Sequence, residues 1–232
     1  MISIIVPIYN EQENVIDLYR RSKKSLARFP KDLKKEIIFI DDGSTDKTWE
    51  KLRGLRNIRL IRHEKNLGQT AALLSGFQAA KGEIIVTMDG DLQNDPAQIP
   101  DLVIKLEQGY DMVVGWRKKR NDSLNRKLLS KLAYTWRRII FSSPIHDSGC
   151  SFKAFRKSFL ANPLPPGQIH RFLPEIFLSY GFKVAEIPIK HYPRKRGKSK
   201  YNSKRVLRGF MDSWLIRFWL FRNRKVIKRL RN

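Results

Sequence analysis

The sequence is poor in cysteine, in acidic residues and in long apolar runs. Its 232 residues include one cysteine, Cys150, so a disulfide within the chain is excluded and a reducing compartment is favoured. Asp and Glu number 22 against 47 Lys and Arg, which gives a formal net charge of +25. This excess predicts attraction to phosphate-rich partners, and charge alone leaves nucleic acid, anionic membrane and a phosphorylated substrate open.

Leader sequences, internal repeats and low-complexity linkers are not recognisable in the chain. An apolar strand is predicted from residue 2 onward, so no signal peptide is expected before it. Near the C-terminus, Arg217 interrupts an apolar run that is shorter than the ~20 residues needed to cross a bilayer. The length fits one compact α/β unit with an appendage.

Strand-like and helix-like segments alternate through the first half of the chain. This alternation predicts an α/β domain with a mostly parallel central sheet, of the kind that binds nucleotides. Asn10 and Glu13 are spaced like a capping box for the first helix, and Gly43 permits a tight turn after the second strand. The apolar runs that predict strands lie at 2–10, 36–40, 58–61, 83–88 and 111–115.

Two carboxylates one residue apart, Asp89 and Asp91, follow the predicted strand at 83–88. The carboxyl ends of strands are where open α/β sheets bind their ligands. Oxygen ligands of this kind suit Mg²⁺ or Mn²⁺, and Gln93 offers a further carbonyl oxygen. An isolated Asp-x-Asp also occurs in solvated loops, so the interpretation depends on its context.

Four motifs follow one another along the chain. They are Val6 to Glu11, Asp41 to Asp46, Asp89 to Pro96 and Gly115 to Arg117. Together they resemble family 2 of the inverting glycosyltransferases, which have the GT-A fold. Segments 186–189 and 191–201 resemble the polyprenyl-phosphate branch of that family, typified by dolichol-phosphate mannose synthase. The resemblance covers about residues 2–204, with departures at Trp116, where a small residue is commoner, and at 147–153.

The resemblance implies transfer of a hexose from a nucleotide sugar, of the GDP-mannose or UDP-glucose type, to a polyprenyl phosphate with inversion. Mg²⁺ or Mn²⁺ held by Asp89, Asp91 and Gln93 would stabilise the leaving diphosphate. Arg194 and Lys200 would close over the phosphates, although a solvated basic surface is the alternative for their loop. For Tyr9, simple core packing is an equal alternative. The nucleotide-sugar contacts implied are Pro7, Tyr9, Glu11, Asp41, Asp42, Asp89, Gly90, Arg194 and Lys200.

The acceptor phosphate is assigned to Arg117, Arg126 and Ser130. Arg126 and Ser130 lie four residues apart and share one face of a helix predicted at 125–141, although Arg126 alone would read as an exposed helix arginine. With Asp89 and Asp91, Arg117 completes the predicted catalytic set. A phosphate monoester is anionic near pH 7, so no protein base is required.

Other titratable groups near these motifs have alternative interpretations. Asp147 and Glu175 are the acids to consider if a base is needed after all. Three histidines are expected to serve packing or hydrogen bonding, because they lack the compact spacing of a zinc site. They are His146, His170 and His191.

Residues 205–232 predict an amphipathic helix on a membrane surface, after a catalytic domain at 1–204. Trp and Phe side chains would enter the interface, and each nearby Lys or Arg would contribute ~1 kcal/mol on an anionic leaflet. A helix packed on the domain's own sheet is the alternative. The apolar face is Leu207, Phe210, Met211, Trp214, Phe218 and Phe221, with Arg205, Arg208 and Asp212 on the far side.

The predicted location is the cytoplasmic face of a membrane, as a peripheral protein, with a small membrane-anchoring subunit as a further candidate partner. Within the same family, the alternative is a transferase acting on a glycan or another lipid. A non-catalytic module that binds phosphate or nucleic acid is the alternative from a different class. It rests on charge alone and leaves Asp89 and Asp91 unexplained, so nucleic acid is not an expected partner.

Overall fold

The computed structural model describes residues 1–118, 124–194 and 204–231. Inside the helices, the side chains of 124–131, 133, 204–208, 228, 230 and 231 are outside the description. Lys200 is outside it as well, so its predicted contact with phosphate is not addressed by the structure.

One sheet organises the described chain. Its strands are β1 (Ile2–Ile8), β2 (Lys35–Asp41), β3 (Arg59–Arg62), β4 (Ile84–Thr87), β5 (Met112–Trp116), β6 (Lys153–Arg156) and β7 (Val184–Pro188). In the described residues these seven strands follow the order β3-β2-β1-β4-β6-β5-β7. Strand β6 runs antiparallel to β4 and β5, and the other pairs are parallel. The predicted mostly parallel sheet is therefore confirmed.

Helices cover both faces of this sheet. Every residue of β1 except Pro7 is buried, and because alternate side chains point to opposite faces, both faces must be covered. A Cβ on Gly76 would overlap side chains of Ile5 and Ile40, so that glycine lets its helix lie close to β1 and β2. The helices are α1 (Val15–Leu26), α2 (Thr48–Arg53), α3 (Gln69–Ala79), α4 (Ile99–Glu107), α5 (Leu124–Phe141), α6 (Leu173–Ser179), α7 (Lys204–Arg222) and α8 (Arg224–Arg231).

The predicted capping box at Asn10 is wrong. Helix α1 begins at Val15, and no side-chain cap is formed by Asn14 before it. Asn10 instead adopts a positive φ of 51° and accepts a hydrogen bond from the backbone N–H of Thr45 at 2.8 Å. Its own backbone N–H donates to Ser44 Oγ at 2.9 Å. Asn10 therefore joins the loops that follow β1 and β2.

Aromatic rings join the short antiparallel strand β6 to the helices. Phe155 meets Phe77 of α3 edge to face at 5.5 Å between ring centroids. It also meets Phe177 of α6 at 5.6 Å, and both Phe155 and Phe177 are fully buried. Burial of rings of this size stabilises the position of β6, which is only four residues long.

The C-terminal segment forms two helices, α7 and α8, where a single helix was predicted. Asp212 is buried together with Ser213, Ile216 and Leu220, so the far side of the predicted aromatic face points into the protein, not into solvent. Four residues of the predicted apolar face are exposed, whereas Phe210 is half-buried and the side chain of Leu207 is outside the description. The division at residue 204 stays a prediction. In the described ranges no helix combines the length and apolarity needed to cross a membrane. The exposed apolar residues of α7 are Met211, Trp214, Leu215, Phe218 and Phe221.

Helix α7 packs on α5 through tryptophan contacts. Trp136 of α5 lies 6.0 Å from Trp214 and 5.3 Å from Phe210, measured between ring centroids. Its Nε1–H donates to Ser213 Oγ at 2.9 Å. On α5, Leu132 and Ile139 are also exposed. The two helices therefore form one packed pair with apolar side chains on its outer surface.

Candidate active site

The predicted carboxylate pair lies in a tight turn directly after β4. A Cβ on Gly90 would overlap the side chain of Ile8, so glycine is required between the two acids for this turn to approach β1. Asp89 accepts a hydrogen bond from Gln69 Nε2 at 2.7 Å, and Asp91 accepts one from the backbone N–H of Gln93 at 3.1 Å. Both acids are therefore oriented by neighbours at the carboxyl edge of the sheet.

Asp91 carries an unfavourable charge in this turn. Burial, followed by the negative charge of Asp89, raises the pKa of Asp91 from 3.8 to about 6. A divalent cation would relieve both effects, because it would replace lost water and neutralise the paired carboxylates. The two residues thus fit the predicted metal-holding role. Among the described residues, no group of three or more His, Cys, Asp or Glu side chains could hold a metal ion.

The segment after β7 lies along the turn that follows Asp91. Asn94 and His191 form an antiparallel bridge, and the backbone N–H of Tyr192 donates to the Gln93 carbonyl at 2.9 Å. The side-chain amide of Gln93 donates back to the Tyr192 carbonyl at 3.2 Å. These bonds bring residues 191–194 next to the carboxylate pair. The role of Gln93 as a metal ligand stays a prediction.

Arg194 connects two of the predicted acids. Its Nη2 donates to Glu11 Oε1 at 2.6 Å, and its Nη1 lies 3.7 Å from Asp91 Oδ2. Glu11 is 7% exposed and is held from its other side by the Asn14 amide at 2.7 Å. The structure therefore brings Arg194 next to Glu11 and Asp91, contacts that the motifs did not specify, and its contact with donor phosphates stays a prediction.

Asp41 offers a buried acceptor beside Pro7 and Tyr9. Asp41 is fully buried, and its Oδ1 accepts the backbone N–H of Ser44 at 3.1 Å. Its Oδ2 has no hydrogen-bond partner among the described residues, although Arg62 Nε lies 3.7 Å away. Since a buried carboxylate oxygen that accepts no hydrogen bond is costly, this atom suits a hydroxyl or N–H donor on a ligand.

Asp42 holds the loop that precedes α3. Its carboxylate accepts the backbone N–H groups of Leu67 and Gly68 at 2.9 and 2.8 Å. His63 Nδ1 lies 2.8 Å from the same carboxylate, and His63 Nε2 lies 2.9 Å from Ser75 Oγ. Asp42 therefore stabilises this loop next to Gln69. Its contact with the nucleotide stays a prediction.

Arg117, which is predicted to contact the acceptor phosphate, is paired with Asp147. Two guanidinium bonds, from Nε at 2.7 Å and Nη2 at 2.8 Å, reach the two carboxylate oxygens. Burial acts to lower the pKa of Arg117, but the hydrogen bonds and charge of Asp147, together with Cys150 and Asp89, outweigh it and hold that pKa above its usual value. Arg126 and Ser130 lie in α5 as predicted, with side chains outside the description.

The two acids considered as bases both have cationic neighbours. Asp147 is bonded to Arg117, and Glu175 is 1% exposed, with Arg137 Nε 3.8 Å away and the Ser148 hydroxyl donating to it. Burial raises the pKa of Glu175. Both carboxylates are buried beside these neighbours, so neither is exposed to a substrate as a general base has to be. The acid–arginine pairs therefore support the fold of the loop between α5 and β6.

Residues at the start of α3 were missed by sequence reasoning. Thr70 Oγ1 lies 2.7 Å from His170 Nδ1, while the neighbouring Gln69 is bonded to Asp89. Lys153 is fully buried, and burial lowers its pKa; its Nζ donates to the carbonyls of Cys150 and His170. The sequence signal that could have identified Gln69 and Thr70 is their position as polar residues at the start of a helix that is rich in small residues. His170 serves hydrogen bonding, as expected.

The arrangement places cations around a pair of acids at one sheet edge. Arg194 lies beside Asp91, and Arg117 is close enough to Asp89 to respond to its charge. Such a site can hold a metal–diphosphate on the acids while cationic donors contact the remaining phosphate oxygens. This is the chemistry required when a diphosphate leaves a sugar.

Comparison with known proteins agrees with this geometry. Residues 3–162 match the profile of glycosyl transferase family 2. The dodecaprenyl-phosphate galacturonate synthase of Rhizobium johnstonii is 38% identical over 94% of this chain and 67% of its own length. The undecaprenyl-phosphate 4-deoxy-4-formamido-L-arabinose transferase of Edwardsiella ictaluri is 34% identical over 91% of this chain and 66% of its own. The chain thus spans about two thirds of the curated relatives it matches.

Solved structures share the fold. The glucosyl-3-phosphoglycerate synthase of Mycobacterium tuberculosis, crystallised with Mn²⁺, UDP and glucosyl-3-phosphoglycerate, superposes with a TM-score of 0.71. The match has 22% identity and covers 94% of this chain and 79% of that one. This likeness confirms the predicted GT-A architecture. With the family profile matched over more than half of its residues, the chain belongs to glycosyl transferase family 2.

Proposed function

We propose that this protein transfers one sugar from a nucleotide sugar to a polyprenyl phosphate, with inversion at the anomeric carbon. The observation that carries the proposal is the Asp89–Gly90–Asp91 turn, where Arg194 lies 3.7 Å from Asp91 and the charge of Asp89 contributes to the raised pKa of Arg117. The similar chains named as polyprenyl-phosphate sugar transferases support the acceptor class.

The donor is bound between the ends of β1, β2 and β4. Asp41 Oδ2 accepts a hydrogen bond from the nucleoside, which would give this oxygen the hydrogen bond that it lacks among the described residues. Pro7, Tyr9 and Glu11 line the same side. GDP-mannose and UDP-glucose are donor candidates, and nucleotide-linked galacturonate and 4-deoxy-4-formamido-L-arabinose join them because the similar chains are named for those sugars.

A divalent cation, Mg²⁺ or Mn²⁺, is the proposed cofactor. Asp89 and Asp91 hold it, with Gln93 as a further ligand, and the bound ion supplies charge stabilisation for the departing diphosphate. Arg194 moves its hydrogen bonds from Glu11 to a phosphate oxygen when the donor is present. The Mn²⁺ and Mg²⁺ in structures that share this fold support the choice of ion.

The acceptor phosphate is the nucleophile in this proposal. Arg117 contacts it, and Arg126 and Ser130 of α5 complete its binding site. One anionic phosphate oxygen attacks the anomeric carbon from the face opposite the diphosphate, and the carbon–oxygen bond to the diphosphate breaks. No proton has to be removed, so Asp147 and Glu175 can stay with their cationic neighbours.

The proposed location is the cytoplasmic membrane face, with the protein held there peripherally. The exposed aromatic residues of α7, together with Leu132 and Ile139 of α5, form an apolar surface next to many cationic side chains. Such a surface binds anionic bilayers by combined apolar burial and charge attraction. A small anchoring subunit is a further candidate partner on the same surface.

A transfer assay tests the proposal. Purified protein is incubated with Mn²⁺, a short-chain polyprenyl phosphate and each of four radiolabelled donors: GDP-mannose, UDP-glucose, UDP-galacturonate and UDP-4-deoxy-4-formamido-L-arabinose. We expect one donor to yield a labelled lipid whose sugar–phosphate bond has the inverted configuration. Transfer to a glycan or to a different lipid, with none to polyprenyl phosphate, would support the alternative within the same family.

A further inference from the structure

The contacts behind Arg117 connect three parts of the fold. Arg117 follows β5, Asp147 lies in the loop between α5 and β6, and Glu186 lies on β7, which pairs with β5. Asp147 binds Arg117 through its side chain and Glu186 through its backbone N–H. Among the described hydrogen bonds, Glu186 reaches Arg117 only by way of Asp147. A change at Glu186 would therefore be transmitted to the guanidinium.

Both carboxylate oxygens of Glu186 are used by successive backbone groups. Oε1 accepts the N–H of Asp147 at 2.8 Å, and Oε2 accepts the N–H of His146 at 2.8 Å. The side chain is only 10% exposed, so water does not readily replace these bonds. A carboxylate can accept on both oxygens, whereas an amide of the same shape would present a donor to one of the two N–H groups.

His146 links the same carboxylate to α5. Its Nδ1 lies 2.8 Å from Glu186 Oε2, and its ring stacks on Trp116 at 4.5 Å and on Tyr134 of α5 at 5.7 Å. The interplanar angles are 16° and 3°. Trp116 is one of the two departures from the family motifs, and it forms the end of this stack that lies nearest to Arg117.

We propose that Glu186 is a positioning residue for the acceptor phosphate, acting through Asp147 on Arg117 and through His146 on α5. The proposal rests on the proposed function, since it assumes that Arg117 and α5 bind that phosphate. Glu186 itself does not touch the substrate. Its effect is to set where the guanidinium is held and how α5, with Arg126 and Ser130, is placed against the end of β5.

Steady-state kinetics of Glu186→Gln tests this inference. The KM for a short-chain polyprenyl phosphate should rise roughly tenfold, because one hydrogen bond to a charged acceptor is lost and the guanidinium is displaced. The KM for the donor and kcat should stay within about twofold, since Asp89, Asp91 and Arg194 are untouched. Glu186→Asp retains the charge and should give a smaller rise in acceptor KM.

Glu36→Leu is a matched control on β2, which lies in the half of the sheet away from β7. Glu36 also lies on a strand, and its Oε1 accepts a backbone N–H, from Lys81 at 2.7 Å, and the Ser3 hydroxyl at 2.6 Å. Because an amide could still accept both bonds on that one oxygen, leucine is used to remove them; it should lower the melting temperature and leave both KM values unchanged. This comparison separates lost stability from lost positioning.

The outcomes distinguish the two proposals. Wild-type protein that transfers sugar to polyprenyl phosphate, with an unchanged acceptor KM in Glu186→Gln, would overturn the role of Glu186 alone. Equal rises in donor and acceptor KM would also overturn it. Wild-type protein that transfers nothing to polyprenyl phosphate would overturn the proposed function, and the role of Glu186 would be rejected with it.

Discussion

Arg194 donates a hydrogen bond of 2.6 Å to Glu11, although 183 residues separate them in the chain. This contact joins the end of β1 to the segment that follows β7. It places a guanidinium between a nucleoside-side acid and Asp91, so a cation already lies where donor phosphates are proposed to bind. The following predictions concern this edge of the sheet and the helices beside it.

Arg194→Gln should weaken the binding of nucleoside diphosphate. Removing a charge-assisted bond to phosphate is expected to raise the Kd of UDP or GDP, with Mn²⁺ present, roughly tenfold. Isothermal titration measures this directly. Arg21→Gln is the matched control, because Arg21 also pairs with an acid, Asp17, on the exposed surface of α1. An unchanged Kd in Arg194→Gln would contradict the proposed phosphate contact.

Removal of the metal site should abolish transfer without unfolding the protein. Asp89→Ala, Asp91→Ala and treatment with EDTA should each reduce activity below detection, because the leaving diphosphate loses its charge stabilisation. Circular dichroism should show unchanged helix and sheet content. Asp101→Ala, at an exposed position of α4, is the control and should retain full activity. Full activity of either site variant in EDTA would reject the assignment.

The stability of metal-free protein should depend on pH through Asp91. The pKa of Asp91 is about 6 in the folded protein and 3.8 ordinarily, so folding favours its protonated form. Its contribution to the free energy of unfolding is therefore fully present below pH 3.8 and is lost as the pH rises through 6. Asp91→Asn should therefore stabilise the metal-free protein by roughly 1–3 kcal/mol more at pH 7.5 than at pH 3.5. Urea unfolding at the two pH values measures the difference. Asp101→Asn should show no such dependence.

Arg126→Ala should impair use of the acceptor far more than binding of the donor. Only the acceptor phosphate loses a charged partner, so its KM should rise roughly tenfold while the donor KM is retained. Arg138→Ala, on an exposed part of the same helix, is the control. Kinetics with each substrate varied in turn provide the comparison. Equal losses for both substrates would show that Arg126 serves the site as a whole.

Membrane attachment should depend on the exposed aromatic face of α7. Replacing Trp214, Phe218 and Phe221 with Ser should release the protein from anionic vesicles in a sedimentation assay, because apolar burial at the interface is lost. High salt should release the wild type only partly, since screening removes charge attraction alone. Ile104→Ser, an exposed apolar position on α4, should sediment like wild type. Intact protein that fails to sediment at low salt would contradict the proposed surface.

The sequence predicted strands β1 to β5 and the acidic turn well, because their signals are local. Asp89 and Asp91 directly follow a continuous apolar run, and that pattern marks a strand end in any chain of this class. Strands β6 and β7 were not predicted as strands, and in β6 the segment from Lys153 to Arg156 is short and mixes charged with apolar residues. The Arg194–Glu11 contact and the inward turn of Asp42 depend on tertiary pairing, which no local pattern encodes.

Strand β6 also sets the distance between β4 and β5. It separates β4, which ends at the carboxylate turn, from β5, which ends at Trp116 beside Arg117. Two strand spacings correspond to about 10 Å, compared with about 5 Å for neighbouring strands. One monosaccharide ring with the reacting oxygens on its two faces fits in such an interval. Insertion of a single reversed strand thus matches the separation of the two proposed phosphate-binding sides to the size of the sugar proposed to pass between them.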